Sequence, residues 1–176
     1  MASIIKNRVV VSDEWNVIRS IKESTLLRAS DLPIGKVIVP FSMWKLERDA
    51  LVSMKMKDEL GVWLAPDSEP DNITSDFNRI SVIAVDFPQF LDGRGYSIAR
   101  LLRERYGWIG ELRAIGDILR DQLLYMWRCG FDVFEIRSDK NIFDALNAFS
   151  EFTDCYQASV NEPLPLFRRR CSNYVY

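Results

Sequence analysis

The 176-residue sequence contains no histidine, and this absence excludes several classes of enzyme at once. Catalytic triads that pair histidine with serine or cysteine are excluded, as are zinc and non-haem iron sites with histidine ligands. Any acid–base chemistry must therefore come from Asp, Glu, Lys, Tyr or Cys side chains.

Cysteine is scarce as well. Cys129, Cys155 and Cys171 are odd in number and share no C-x-x-C spacing, so we expect neither a disulfide framework nor a metal site. The nearest approach to a dinucleotide fingerprint is "GRGYSI", in which Ile98 stands where the third glycine belongs. The sequence therefore gives no sign of a cofactor.

The chain also lacks a basic excess and a long apolar run. Its net charge of −2 and pI near 5.3 argue against a nucleic-acid-binding protein. No segment approaches the roughly 20 apolar residues of a membrane span. The first residues lack the apolar region and cleavage site of a signal peptide, so we expect a cytoplasmic protein.

From Gly61 onward, short apolar runs alternate with helical patterns. The predicted strands are residues 61–65, 80–87, 111–116, 132–137 and, as a fifth, 154–159. The predicted helices are residues 97–105, a helix capped by Asp117 and ended by Gly130, and a last helix capped by Ser138 or Asp139. This alternation predicts right-handed βαβ units and a largely parallel sheet.

We therefore predict an α/β protein whose parallel βα units form a partial, half-open TIM-barrel-like sheet. Residues 61–160 form this domain, residues 1–60 a small N-terminal α+β lobe with a helix at 42–56, and residues 161–176 an extended tail. Four or five strands cannot close an eight-stranded barrel. The first lobe, a second copy of the chain in a homodimer, or another protein would have to complete it.

Two predicted strands carry charges on one face. Glu111, Arg113 and Ile115 alternate with apolar residues in one strand, and Glu135 and Arg137 do so in the next. Parallel strands covered on both faces are normally apolar throughout. The pattern indicates either a polar concave surface or cross-strand salt bridges at a sheet edge.

The loop after the predicted strand 80–87 contains "DGRGYS", residues 92–97, and leads into a helix. In such sheets ligands collect outside the carboxyl ends of the strands. Glycines allow close approach of backbone N–H groups, and arginine can clamp an oxyanion. The predicted anion site consists of Gly93, Arg94, Gly95, Ser97 and Arg113. Alternatively, the glycines only shape a turn, and Arg94 pairs with Asp92 or Asp117.

Three side chains near the predicted strand ends are candidates for acid–base catalysis. They are Asp86, Asp117 and Tyr96. The structural alternatives are a helix cap for Asp117 and a hydrogen-bonded strand end for Asp86. The arginines of the following helix, Arg100, Arg103 and Arg105, are either a solvated face or a basic patch for an acidic partner.

Residues 90–136 resemble one bacterial family. The ordered runs G-R-G-Y-S, G-E-L-R-A-x-G-D, R-D-Q and R-C-G-F-D are similar to those of the domain-of-unknown-function family 934 (DUF934). Its members are labelled as oxidoreductases of sulfite reduction, a label that rests on gene neighbourhood beside the sulfite reductase haemoprotein. The resemblance implies a role in sulfur assimilation.

Two hypotheses follow from the resemblance. A sulfite reductase catalytic subunit needs cysteines spaced for an iron–sulfur cluster and sirohaem, which three scattered cysteines do not supply. The first hypothesis is therefore an accessory protein whose partner is sulfite reductase. The second is a small enzyme that binds a sulfur oxyanion or another anionic substrate at the carboxyl-end face of the sheet.

Overall fold

A computed structural model of the chain describes residues 3–19 and 28–172. The strands in this part of the chain are β1 Ser3–Lys6, β2 Val9–Ser12, β3 Asn16–Val17, β4 Val37–Pro40, β5 Leu60–Leu64, β6 Val82–Phe87, β7 Glu111–Gly116 and β8 Val133–Phe134. Its α-helices are α1 Phe41–Met54, α2 Arg94–Arg100, α3 Leu123–Arg128, α4 Ile142–Ala145 and α5 Leu166–Ser172. A π-helical turn, Leu101–Arg105, extends α2.

All eight strands belong to one sheet, in the order β2-β1-β8-β7-β6-β5-β4-β3. Strands β3 to β8 pair in parallel, and β1 is antiparallel to both of its neighbours. The sheet is a curled half-barrel with helices packed against it. The prediction of an α/β fold with a partial barrel is therefore confirmed.

The curl follows from the connection between the two edge strands. Only residues 13–15 separate β2 from β3, although these strands lie at opposite ends of the sheet. Four Cα–Cα steps span at most about 15 Å. The edges of a flat eight-stranded sheet would lie about 34 Å apart. The sheet therefore has to bend until its edges approach each other, and β1 to β4 complete it from within the same chain.

The sheet has two different faces. The outer face packs against the helices and holds the larger apolar core, which includes Trp44, Phe87, Phe131 and Phe134. The inner, concave face carries a smaller cluster of Ile38, Val82, Ala84 and Ile115, against which Trp15, Val17 and Trp63 pack. Side chains of Trp15, in the link before β3, and of Val17, in β3, thus cover the centre of the inner face, while a cleft remains open at the carboxyl ends of β6 and β7.

Several element boundaries differ from those predicted. Residues 154–159 form no strand, and β8 covers only Val133–Phe134 of the predicted 132–137. Residues 161–176 were predicted as an extended tail, but Leu166–Ser172 is helical. Short segments such as these are decided by their tertiary contacts, because local propensity is a weak determinant over a few residues.

The predicted caps of two helices also differ. Asp117 caps no helix, because a 3-10 turn at Arg120–Gln122 precedes α3. The last predicted helix is α4, and its cap is Asn141, whose side-chain oxygen accepts hydrogen bonds from the backbone N–H groups of Phe143 and Asp144. Asn141 has extended backbone angles that suit an N-cap residue. Ser138 and Asp139 therefore precede the helix and do not cap it.

Candidate functional site

Arg113 lies at the middle of the inner face. It pairs in register with Ala84 on β6 and Val133 on β8, so it shares this face with the inner apolar cluster. Its side chain is 1% exposed. The guanidinium donates from Nη1 to both carboxylate oxygens of Asp13, at 2.9 and 3.1 Å, and from Nε and Nη2 to Glu111 Oε1. Its nitrogens are thus committed to two carboxylates of the protein.

The glycine–arginine loop lies elsewhere. Arg94 donates from Nε and Nη2 to the two oxygens of Asp92, at 2.9 and 2.7 Å, and its side chain is largely solvent-exposed. Gly95 is buried, and a Cβ atom there would lie 2.5 Å from the ring of Phe87. This arrangement is the turn in which Arg94 pairs with Asp92. The structure does not bring Arg113 together with Gly93, Arg94, Gly95 and Ser97.

Tyr96 lies on the outer side of the sheet. Its ring packs edge-on against Phe87 and Tyr125, with ring centroids 5.3 and 5.1 Å apart. Burial raises the pKa of the Tyr96 hydroxyl above its usual value. Tyr96 is therefore part of an aromatic cluster between the sheet and α3, separated by the sheet from the two aspartates predicted with it.

Asp86 and Asp117 line the same cleft. A cleft of about 830 Å³ opens beyond the carboxyl ends of β6 and β7. We call it the carboxyl-end cleft. Its charged lining residues are Arg19, Asp86, Asp117, Glu135, Arg137 and Lys140. The remaining lining residues include Ser3, Pro88, Gly116 and Ser138. The cleft thus lies where ligands bind in sheets of this type.

Arg19 joins two carboxylates on one side of the cleft. Its Nη2 donates to Glu135 Oε1 at 2.8 Å, and its Nη1 lies 3.6 Å from Asp86 Oδ1. Burial raises the pKa of Asp86 above its ordinary value, Arg19 acts in the opposite direction, and the nearby Glu135 adds to the rise. Glu135 Oε2 is buried and has no hydrogen-bond partner within the described ranges. This side of the cleft therefore holds more acceptors than donors.

On the other side of the cleft, Arg137 pairs with two carboxylates. It donates to Asp117 Oδ1 at 2.8 Å and, from Nε and Nη2, to both oxygens of Asp139. These bonds lower the pKa of Asp139 to about 2. Asp117 Oδ2 accepts from the backbone N–H of Phe90 and so fixes the loop that follows β6. Lys140 Nζ lies 3.4 Å from Asp139 Oδ2.

Sequence reasoning identified Asp86 and Asp117 but not their partners. Glu135 and Arg137 were visible only as the charged positions of a predicted strand. Arg19 carries no local signal, because it precedes Asp86 by 67 residues and reaches the cleft only through the curl of the sheet. The asparagine cap at Asn141 was the one available sign that Ser138, Asp139 and Lys140 lie outside the last helix.

The described ranges contain no group of three or more Cys, Asp or Glu side chains placed to hold a metal ion. They also contain no helix that is both long and apolar enough to cross a membrane. The chemistry available in the cleft is that of carboxylates, guanidinium groups, an ammonium group and a hydroxyl: charge pairing, hydrogen bonding and proton transfer.

Residues 61–167, more than half of the chain, match the family model described as "Bacterial protein of unknown function (DUF934)". The chain belongs to this family. The matched range holds β5 to β8 and, in the cleft, the residues from Asp86 to Lys140, whereas Arg19 precedes it. No curated protein and no solved structure gave a significant match.

Proposed function

We propose that this DUF934 protein is an accessory protein of sulfite reduction that binds the sulfite reductase haemoprotein. The family resemblance supplies the setting, and one observation on the surface supports a partner. Four large apolar side chains near the carboxyl ends of the strands are exposed: Phe90 and Leu91 in the loop after β6, Phe143 beside the cleft residue Ile142, and Leu46 in a neighbouring cleft at the ends of β4 and β5. Exposed apolar residues around a polar depression are typical of a protein-binding face.

The position of these residues relative to the strands supports a single binding face. Phe90 and Leu91 follow β6, and Phe143 lies in the first turn of α4, next to the cleft residue Ile142. Leu46 lies in α1, which follows β4. All of them lie at the carboxyl end of the parallel strands. A partner bound at this end would also cover the carboxyl-end cleft.

The test is affinity capture of the tagged protein from cells grown on sulfate. The wild-type chain is expected to recover sulfite reductase. Leu91→Asp should abolish recovery, because Leu91 is 88% exposed at the proposed face and a charge there would have to be desolvated on binding. Ile109→Asp is the matched control: Ile109 is 96% exposed and precedes β7, at the opposite end of the sheet.

Equal recovery with all three proteins would place the contact on another surface and contradict the proposed face. Failure of the wild-type chain to recover sulfite reductase, in repeated experiments with the tag at either terminus, would contradict the accessory role itself.

A specific observation also favours a second function, a small enzyme acting on an anionic substrate. Asp86 is a half-buried carboxyl group with a raised pKa, between Glu135 and Arg19. Such a group accepts a proton more readily than an exposed carboxylate does, while Lys140 attracts the anionic part of a substrate. A sulfur oxyanion group is the simplest candidate for this anionic part.

A thermal-shift experiment at low salt tests this second function. Sulfite, sulfate and phosphate are added to the wild-type chain and to Lys140→Ala. A ligand at 100 times its dissociation constant adds about 2.7 kcal/mol, which corresponds to several degrees in Tm for a chain of this size. A shift that Lys140→Ala reduces would support an anion site in the cleft, and an equal shift in both proteins would contradict it.

A further inference from the structure

The charges of the carboxyl-end cleft do not suit a simple anion. Among the described residues, three cations face or support the cleft: Arg19, Arg137 and Lys140. Four carboxylates pair with them: Asp86, Asp117, Glu135 and Asp139. A bare dianion would enter a site with one more negative than positive charge, which disfavours its binding.

We infer that the ligand of this cleft is a zwitterion, a small metabolite that carries an ammonium group and an anionic group in the same molecule. This inference rests on the second function proposed above, a ligand site in the cleft, and names the class of ligand. The ammonium group would bind between Asp86 and Glu135, and the anionic group would bind at Lys140 and Ser138.

The ammonium end is assigned from unsatisfied acceptors. Glu135 Oε2 is buried without a hydrogen-bond partner in the described part of the chain, while Oε1 already accepts from Arg19. A carboxylate can only accept, so its missing partner has to be a donor. An unpaired buried acceptor of this kind destabilises the protein. The Glu135 side chain is 33% exposed, so a rotation of its carboxylate would present this oxygen to a donor in the cleft. A ligand ammonium group supplies up to three N–H donors and compensates the excess negative charge.

The anionic end is assigned from the donors that remain. The Arg137 guanidinium already donates three hydrogen bonds, one to Asp117 and two to Asp139. Lys140 has a more open environment: its ammonium group lies 3.4 Å from Asp139, and half of its side chain is exposed. Ser138 adds a hydroxyl to the lining next to it. A carboxylate or sulfonate group could bind Lys140 and Ser138 without breaking the Arg137 pairs.

The size of the cleft agrees with a metabolite. A water molecule occupies roughly 30 Å³ of liquid volume, and a sulfite ion is only a few times larger. The cleft measures about 830 Å³. Clefts of about 300–1,000 Å³ normally hold ligands of metabolite or drug size. A sulfite ion alone would leave most of this space to solvent.

The experiment compares matched ligands by calorimetry on the full-length protein. Taurine is paired with 2-hydroxyethanesulfonate, and L-serine with glycerate, so that each pair differs chiefly in the ammonium group. Ethanolamine carries the ammonium group without an anion. We expect at least one of the two zwitterions to bind, and at least tenfold more tightly than its hydroxy analogue and than ethanolamine.

Two variants locate the binding. Glu135→Gln should weaken zwitterion binding at least tenfold and leave Tm close to the wild-type value, because it removes one negative charge from a cluster with an excess of carboxylates. Glu151→Gln is the control, since Glu151 pairs with Arg120 on the outer surface and does not line the cleft; it should bind as the wild type does.

Three results would overturn the inference. They are equal or tighter binding of a hydroxy analogue, stronger zwitterion binding by Glu135→Gln, and no binding of either zwitterion. Binding of sulfite without a zwitterion would leave the second proposed function intact and refute only the ligand class. The accessory role is judged separately, by recovery of sulfite reductase.

Discussion

Two charged clusters lie on the inner face of the same sheet and differ in how completely they are paired. At the centre, Arg113 is buried between Asp13 and Glu111, and each of its nitrogens donates to a carboxylate. At the carboxyl end, Arg19 is shared between Asp86 and Glu135, and one oxygen of Glu135 has no partner in the described ranges.

The difference separates a structural cluster from a binding site. A buried cluster whose members satisfy one another leaves nothing for a ligand to bind, and removal of one member leaves a buried charge. An open cluster with a spare acceptor gains from a ligand that completes it. Arg113 also connects β7 to residue 13 in the link between the two edge strands, so its pairing holds the curled sheet closed.

The largest effect should come from Arg113→Ala. Loss of the guanidinium leaves the largely buried Asp13 and Glu111 without their shared partner, although Lys6 still pairs with Glu111. It should reduce the free energy of unfolding by about 3–5 kcal/mol. Urea unfolding followed by circular dichroism measures this. A loss below about 1 kcal/mol would mean that the central cluster stabilises the protein no more than an ordinary surface ion pair does. The proposed difference between the two clusters would then be wrong.

Gly95→Ala extends the comparison to the glycine–arginine loop. The added Cβ would lie 2.5 Å from the buried Phe87 ring, and overpacking of this kind reduces stability by about 1–3 kcal/mol. Gly93→Ala is the control, because the nearest atom to its added Cβ is 3.9 Å away. Equal stability of the two variants in urea unfolding would show that Gly95 is not required for packing.

Asp86→Asn tests the open cluster through its pH dependence. Burial raises the pKa of Asp86 in the folded protein above its ordinary value of 3.8, so ionised Asp86 opposes folding. That penalty is fully present above the folded-state pKa, shrinks as the pH falls through it, and vanishes below 3.8. Asp86→Asn should therefore be more stable than the wild type at neutral pH, with a gain that disappears on acidification.

Asp139→Asn should change the free energy of unfolding in the opposite direction: it should be less stable than the wild type at neutral pH. Hydrogen bonds from Arg137 lower the pKa of Asp139 to about 2, so its ionised form favours folding above 3.8 and this contribution is lost as the pH falls through about 2. Urea unfolding of both variants across the acidic range measures the pair. A loss of stability in Asp86→Asn at neutral pH would contradict the assignment of Asp86 to an under-compensated cluster.

The smallest effect should come from Arg94→Ala. Its pair with Asp92 is solvent-exposed and links residues two apart in sequence, so its loss should leave the free energy of unfolding nearly unchanged. Zwitterion binding in the carboxyl-end cleft should be unchanged, because Arg94 does not line it. A large loss of binding in this variant would return the ligand site to the glycine–arginine loop.

The fold class could be predicted because the strands β5 to β7 are encoded locally. The runs at 61–65 and 80–87 are mainly apolar, and the run at 111–116 alternates charged with apolar residues. All three are spaced by helical segments, and each lies within a few residues of the strand observed. Asp86 and Asp117 were found for a related reason. A residue at the carboxyl end of a predicted parallel strand has a known position in the fold.

The remainder of the site could not be predicted, because its contacts join distant parts of the chain. Arg19 and Glu135 are 116 residues apart, and Asp13 and Arg113 are 100 residues apart. Arginine has the same local pattern whether it is buried in a salt bridge, as Arg113 is, or exposed beside Asp92, as Arg94 is. The sequence therefore grouped these two in one predicted anion site, whereas the structure separates them.

The sequence by itself determined the absence of histidine chemistry, the βα alternation from Gly61 onward, the family and the two aspartates at the strand ends. Only the tertiary structure decided that β1 to β4 curl the sheet and bring Arg19 beside Asp86. The physical reason is that periodicity reports which face of an element is buried, whereas the pairing of edge strands and the completeness of an ion cluster depend on groups brought together across the whole chain.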